Sequence, residues 1–340
     1  MKALVLVEFG RLEVQDLPDA RPGPGEVVVE IAYTGICGSD IHGFTGANGR
    51  RVPGQVMGHE TSGRVLALGE GVAAPAVGTP VTFNPVVLPA AEAAAWHGRE
   101  QQHPGKWIIG VRPDVVAAFG QQVVVPVRNL VALPEGMPLA HGALVEPLAV
   151  ATHAVGRLNP GPGAVLVTGG GPIGQSVVVA LQQAGVGTIL VSEPTAARRD
   201  VLGELGAIPL DPDAGPLREQ VVAAIGQPAS AAVDAVGATG SLADCLSATV
   251  PGARVCLVGM ATPRLEISAF DISTAERTLL GSFTYSSTDF AQALAGLAAA
   301  PGAADSLISR TVTLPEAPAT FTALAAGDGT PGKVLVDLAT

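Results

Sequence analysis

The sequence predicts an α/β chain in which a doubly wound parallel sheet is joined to a second, β-rich domain. Three observations predict it. An apolar run, Val165-Leu-Val-Thr168, breaks into Gly169-Gly-Gly-Pro-Ile-Gly174 and leads into the helical stretch Gln175–Ala184. After it, short apolar runs alternate with helical patterns as far as Leu279-Leu-Gly-Ser-Phe283. Before it, Ala3–Val7 and Glu26–Ala32 alternate or run apolar like strands, separated by the breaker cluster Arg21-Pro-Gly-Pro-Gly25.

A chain of 340 residues supports about two domains, and 48% hydrophobic content fills substantial cores. Its 43 glycines and 28 prolines are spread out, so many short elements are expected and no disordered tract. A formal charge of −11, without clustered Lys and Arg, argues against nucleic acid as a partner. No run of about eighteen apolar residues occurs, and Met1-Lys-Ala-Leu-Val5 is too brief for a signal segment. No membrane partner is therefore expected, and the chain is read as cytoplasmic. Three scattered cysteines, Cys37, Cys245 and Cys256, fit a reducing compartment.

In the glycine turn, Gly169 serves a sharp bend, Gly171 the close approach of a pyrophosphate, and Gly174 tight helix packing. Pro172 and Ile173 open the helix, whose first N–H groups carry partial positive charge. The next apolar run, Thr188–Val191, ends at Ser192-Glu193, nineteen residues beyond Gly174, where an acid grips the ribose hydroxyls of a dinucleotide. A carboxylate there repels a 2′-phosphate and favours NAD. Arg198 and Arg199 either bind that phosphate, which leaves NADP open, or are solvated helix charges. Further on, Ala196–Leu205 and Leu242–Val250 read as helices, Ala231–Val236 and Arg254–Val258 as strands. Strands ending in small residues make Val236-Gly237 and Val258-Gly259-Met260 candidate cofactor contacts, beside the plainer reading of ordinary glycine turns. Cys245 and Cys256 fall inside these patterns and read as small buried hydrophobes.

Nearer the start lies Gly35-Ile-Cys37-Gly-Ser39-Asp40-Ile-His42, with His59-Glu60 seventeen residues beyond His42. A thiolate, an imidazole and one or two carboxylates form a sensible donor set for Zn²⁺. Each alone has a plainer reading, Cys as a buried hydrophobe and His as a structural hydrogen-bonder. The set beside a nicotinamide-type unit argues for metal chemistry.

These clusters, with Gly58-His59-Glu60-Thr-Ser62-Gly63, Val145-Glu146-Pro-Leu-Ala149 and the glycine turn, resemble the zinc-dependent medium-chain alcohol dehydrogenases, most of all the polyol, threonine and butanediol dehydrogenase branch. The resemblance runs from the opening strand to Gly332-Lys-Val-Leu-Val-Asp337. It implies a GroES-like catalytic domain over 1–150 and 287–340 around a Rossmann domain over 151–286. It further implies that Cys37 and His59 ligate zinc and that Glu60 ligates directly or exchanges with water. Glu146 would hold the metal directly or through water, and Asp40 would orient the histidine ligand. Ser39 and His42 would pass the substrate proton to solvent. Zinc acts as Lewis acid on a secondary alcohol and brings its pKa towards about 7, and NAD accepts the hydride. By the same analogy the Leu279–Phe283 edge pairs with a second copy, giving a homodimer or homotetramer. Phe44, Phe83 and Trp107 are candidate pocket walls, and the substrate remains open among polyols, cyclitols, vicinal diols and amino alcohols.

One departure stands out. Where most of these enzymes hold a second, structural zinc with four cysteines, this chain has Pro89, Glu92, Ala95 and His103. A tetrathiolate cannot form, so one zinc per chain is expected, and the lobe is either fixed by a helical turn in its alanine-rich part or mobile. Leu139–Val155 reads as one helix carrying Glu146, with His141 and His153 structural. Two rivals stay in view: a metal-free NADPH-dependent quinone or enone reductase, which the set Cys37, His59, Glu60 and Glu146 argues against, and a catalytically silent cofactor-binding sensor.

Overall fold

In the computed structural model, residues 1–47 and 49–339 are described. They form two compact units, Met1–Glu146 with Ser286–Thr340, and Pro147–Tyr285.

The second unit is built on six strands in the order Ile208–Leu210, Ile189–Ser192, Val165–Thr168, Ala229–Asp234, Thr249–Leu257, Thr278–Gly281. Every pairing is parallel. Val165–Thr168 is fully buried, as a continuous apolar run covered on both faces must be. The strand order reverses around it, so its carboxyl end opens a crevice of the kind that receives a ligand. Helix Pro172–Gln183 follows with Pro at its first turn, where the missing N–H costs nothing. Val250 lies in strand Thr249–Leu257 rather than ending the preceding helix, which stops at Ser247. Cys245 and Cys256 are both wholly buried, and burial pushes the Cys256 thiol up to about 11.

The first unit is organised by the strand Glu26–Gly35. It pairs antiparallel with Glu60–Leu68, Gln122–Pro126 and Lys333–Asp337. The register sets Gly35 opposite both Glu60 and Leu335, so three distant segments end together where the strand runs into Cys37. Helix Gly38–Phe44 starts at that point. Its last residue, Phe44, meets Phe321 of the helix Ala317–Ala325 edge to face at 5.8 Å, and Phe321 meets Phe119 at 5.4 Å. This aromatic cluster seats the short helix on the core. Phe44 and Phe83, expected from sequence as pocket walls, are both buried in the hydrophobic core of this unit. The expected single helix over 139–155 is two, Leu139–Gly142 and Val145–Leu158. Among the described residues no helix is long and apolar enough to cross a membrane.

The lobe without cysteines is fixed by side chains. Its alanine-rich part makes a 3₁₀ turn, Ala94–Trp96, followed by a second at Glu100–Gln102. His103, buried, faces Glu92 through Nε2 at 2.8 Å and accepts the Gly105 N–H at Nδ1, 2.9 Å. The Gly105 contact makes Nδ1 the acceptor, so Nε2 carries the proton given to Glu92. Trp96 packs edge-on against His103 at 4.8 Å, and Arg99 lies over the Trp96 ring. Glu100 accepts both the N–H and the hydroxyl of Ser287 at the start of helix Ser287–Ala299, where a negative charge is favoured. Two of the four positions that hold cysteine in resembling enzymes thus bond directly to each other. Replacing His103 by Ala should cost about 2 kcal/mol in denaturant unfolding and speed amide exchange over residues 89–106. Unchanged exchange there would show that the pair does not hold the lobe.

Candidate metal and cofactor site

Cys37 follows the end of the Glu26–Gly35 strand and caps helix Gly38–Phe44, with the Ser39 N–H directed at Sγ at 3.5 Å. Asp40 closes the cap by accepting the Cys37 N–H at 3.2 Å. The donor atoms of Cys37, His59 and Glu60 all lie within 4.8 Å of one another. His59 turns Nδ1 towards Asp40 Oδ1 at 3.7 Å, which leaves Nε2 for the cluster. Glu146 lies outside that trio but is buried, and its charge acts on His59. Ser39 is half-buried and His42, one turn along the same helix, is exposed. That order runs from the cluster to water.

The sequence reading missed Lys333. Its Nζ donates to Glu60 Oε1 at 2.8 Å, lies 2.7 Å from Oε2, and also donates to the Ile36 carbonyl at 3.2 Å. Burial opposes its charge, yet Glu60 outweighs this and holds the ammonium above its ordinary range. Gly35 makes the pairing possible, because a Cβ there would fall 2.3 Å from Glu60 Oε2 and 3.2 Å from Lys333 Cδ. The only sequence signal was Lys333 itself, a lone cation inside the closing apolar strand.

The donor set fits a divalent cation. Asp40, Glu60 and Glu146 face two fixed cations, Lys333 and Arg51, and Cys37, which ligates a metal as thiolate, would bring the excess to two negative charges in a largely buried cluster. Sulfur, imidazole and carboxylate are the donors Zn²⁺ accepts. Burial opposes a charge on His59, but Asp40, Cys37 and Glu146 outweigh it and push the imidazole up to about 10. A proton on His59 thus occupies the role of a missing cation. A separate pocket of about 680 Å³ in this unit, lined by Asn84, Glu100, Arg128 and Phe290, contains none of these residues.

In the second unit the glycine turn fits a pyrophosphate. Gly169 has φ +89°, and a Cβ on Gly174 would fall 1.8 Å from the Gly169 carbonyl, so both are required by the backbone. Gly171 is different: a Cβ there would meet only Arg198 Nη1, at 3.9 Å. Nothing in the protein needs that glycine, and no side chain caps the helix N-terminus that begins at Pro172 and Ile173. Open space before uncapped N–H groups suits a phosphate anion.

Glu193 is buried beneath the turn and accepts the Gly170 N–H at 2.8 Å and the Thr195 N–H at 2.9 Å. The two arginines left open by sequence now separate. Arg199 is committed to the Glu193 and Pro194 carbonyls and to Asp211, whereas Arg198 stands 3.8 Å from Glu193 on the Gly171 side. Val236 lies against Gly169, Gly259 lies against Val236 and Gly237, and Asp234 ties these turns and Val258 together. Its carboxylate accepts the Val236 and Gly237 N–H groups, and its carbonyl accepts those of Val258 and Gly259. Asp234, unread from sequence, braces the crevice.

Two family models match: the alcohol dehydrogenase GroES-like domain over residues 23–135, and the zinc-binding dehydrogenase domain over 172–299. The 2-dehydro-3-deoxy-L-galactonate 5-dehydrogenase of Pseudoalteromonas atlantica is 35% identical over 79% of each chain. The crystal structure of 2R,3R-butanediol dehydrogenase from Bacillus subtilis superposes with a TM-score of 0.89 at 26% identity, covering 99% of both chains. A zinc-binding dehydrogenase from Sinorhizobium meliloti 1021, bound to NADP, gives a TM-score of 0.89 at 30% identity over 99% of both.

Because zinc binds neutral imidazole, loading the stripped protein near neutral pH should displace the His59 proton. Zinc affinity should then rise with pH until about 10, where the ring is already neutral. Titration of metal into weakly buffered protein with a pH indicator measures this, and metal uptake without proton release would refute the assignment of the proton to this site.

Proposed function

The chain belongs to the zinc-type medium-chain alcohol dehydrogenase family, and on that premise we propose which residues carry its reaction and what it acts on. It is an oxidoreductase that interconverts an alcohol and a ketone with NAD(P). We assign zinc to Cys37, His59 and Glu60, with Glu146 as the further acid. The observation that carries this reading is the convergence of the three donor atoms within 4.8 Å beside the helix that bears Ser39 and His42. Bound there, zinc supplies Lewis acidity to the substrate oxygen and the dinucleotide accepts the hydride.

The chain's own groups do the rest. Ser39 takes the hydroxyl proton of the substrate and His42 relays it to water, which their order along one helix turn allows. Asp40 keeps His59 in one orientation. Lys333 competes with the metal for Glu60, so that carboxylate has two resting partners. In the second unit Gly171 and the helix N-terminus receive the pyrophosphate, with Val236, Val258 and Gly259 lining the crevice. Glu193 takes the ribose hydroxyls and favours NAD, and Arg198 is the side chain placed for a 2′-phosphate.

The substrate we propose is a secondary alcohol with a neighbouring hydroxyl or amine, as the names of the relatives suggest for those proteins. We also propose a cytoplasmic homodimer. Strand Thr278–Gly281 is an edge strand, and Met260, Ile267, Phe270 and Phe283, nearby in sequence, are exposed apolar residues that a second copy would cover.

A panel of diols, polyols, hydroxy acids and hydroxy-amino acids with NAD⁺ and NADP⁺ in parallel tests the substrate class. Turnover confined to simple monofunctional alcohols would remove it. Cys37→Ser should abolish turnover and zinc while leaving NADH binding, followed by fluorescence, intact. Glu193→Ala should cost about ten- to a hundredfold in kcat/KM with NAD⁺ and gain on NADP⁺, and the gain should vanish in the double variant with Arg198→Ala.

A further inference from the structure

Arg51 is a buried cation outside every motif that marks the site. Its side chain is 1% exposed and Nη2 lies 3.6 Å from Asp40 Oδ1, on a carboxylate that is itself fully buried. Nε and Nη2 have no hydrogen-bond partner among the described residues, and neither have Asp40 Oδ1 and His59 Nδ1. These groups stand in a row, guanidinium, carboxylate, imidazole, at 3.6 and 3.7 Å. The other carboxylate oxygen, Oδ2, is held by the Cys37 N–H. Helix Gly38–Phe44 makes room for the row: a Cβ at Gly43 would fall 2.4 Å from Arg51 Cγ.

Burying a guanidinium with so few bonds is costly unless its charge is used. It does not reach the donor trio, and the group it can act on is Asp40. We propose that Arg51 is a positioning residue for the metal ligand His59, acting through Asp40. The guanidinium holds Oδ1 turned away from the Cys37 amide and towards the imidazole. With Oδ2 bonded to the Cys37 amide and Oδ1 drawn by the guanidinium, the carboxylate attracts Nδ1 from 3.7 Å and Nε2 stays aimed at Cys37 and Glu60. This rests on Cys37, His59 and Glu60 being the metal site.

The test compares wild type, Arg51→Met and Arg51→Lys, each loaded with Zn²⁺ and, separately, with Co²⁺. Loss of an orienting partner around a metal typically costs 10–100-fold in affinity, so Arg51→Met should surrender zinc to a competing chelator at least about tenfold more readily. Its cobalt form should show a displaced d–d absorption spectrum. Arg51→Lys, which keeps the charge and loses the planar fork, should recover most of both. A role in packing alone would lower the melting temperature of the stripped protein and leave the cobalt spectrum unmoved, and that result overturns the proposal. So does an Arg51→Lys protein no better than Arg51→Met.

Should Arg51→Met fail to fold, Gly43→Ala keeps the guanidinium but displaces its stem, and should weaken zinc retention in the same direction. Unchanged retention in Gly43→Ala then counts against the proposal. Cys37→Ser separates the two layers: if it retains zinc as tightly as wild type, the ligand assignment fails, and the positioning role fails with it. If it loses zinc while Arg51→Met does not, only the positioning role fails.

Discussion

The first unit depends on an electrostatic constraint, a buried excess of negative charge. Cys37, Asp40, Glu60 and Glu146 converge where the Glu26–Gly35 strand ends, and among the described residues the side-chain cations paired with them are Lys333 and Arg51. Like charges shielded from water repel strongly, so the cluster is stable only with added positive charge. A proton on His59 meets that need in part, and a divalent metal meets it in full. Strand register does the assembling. Glu60 and the closing strand are set against Gly35, and a side chain larger than hydrogen there would drive the acid and its lysine apart.

The second unit solves the opposite problem, holding an anion with few full charges. The means at hand are backbone N–H groups at a helix start, a glycine that no contact among the described residues requires, and a buried acid that braces the turn. Asp234 connects these parts. By accepting N–H groups from its own turn, and from the neighbouring strand's exit through its carbonyl, it fixes two loops that the strand pairing already brings side by side. The metal unit is thus tuned by side-chain charge and the dinucleotide unit by main-chain geometry.

What could be read from the sequence follows from how local each signal is. The glycine turn, the Gly35–His42 motif and His59-Glu60 each compress their chemistry into a few consecutive residues. Lys333, Arg51, Glu100 and Asp234 do not. Lys333 reaches Glu60 only through a strand pairing that spans most of the chain, and Glu100 finds Ser287 only after the C-terminal segment has folded back. Phe44 and Phe83 stand near the site residues in sequence, but what fixes their place is the apolar core into which both side chains turn. The helix expected over 139–155 breaks near Ala143-Leu144, where Gly142 weakens the first helix and Pro147, with no N–H to give the Ala143 carbonyl, is accommodated only in the first turn of a second one. For the lobe at 89–106, the missing cysteines told what could not stabilise it, while the bond between Glu92 and His103 joins residues whose spacing alone carries no signal.

That lobe has a physiological consequence. Enzymes that staple this segment with a tetrathiolate need two ions to mature, one of them before the fold is secure. Here a histidine, a carboxylate and a tryptophan do the stapling, so the newly made polypeptide can complete this part of its architecture in a cell starved of trace elements. Metal supply would then bear on the reaction and not on the integrity of this lobe.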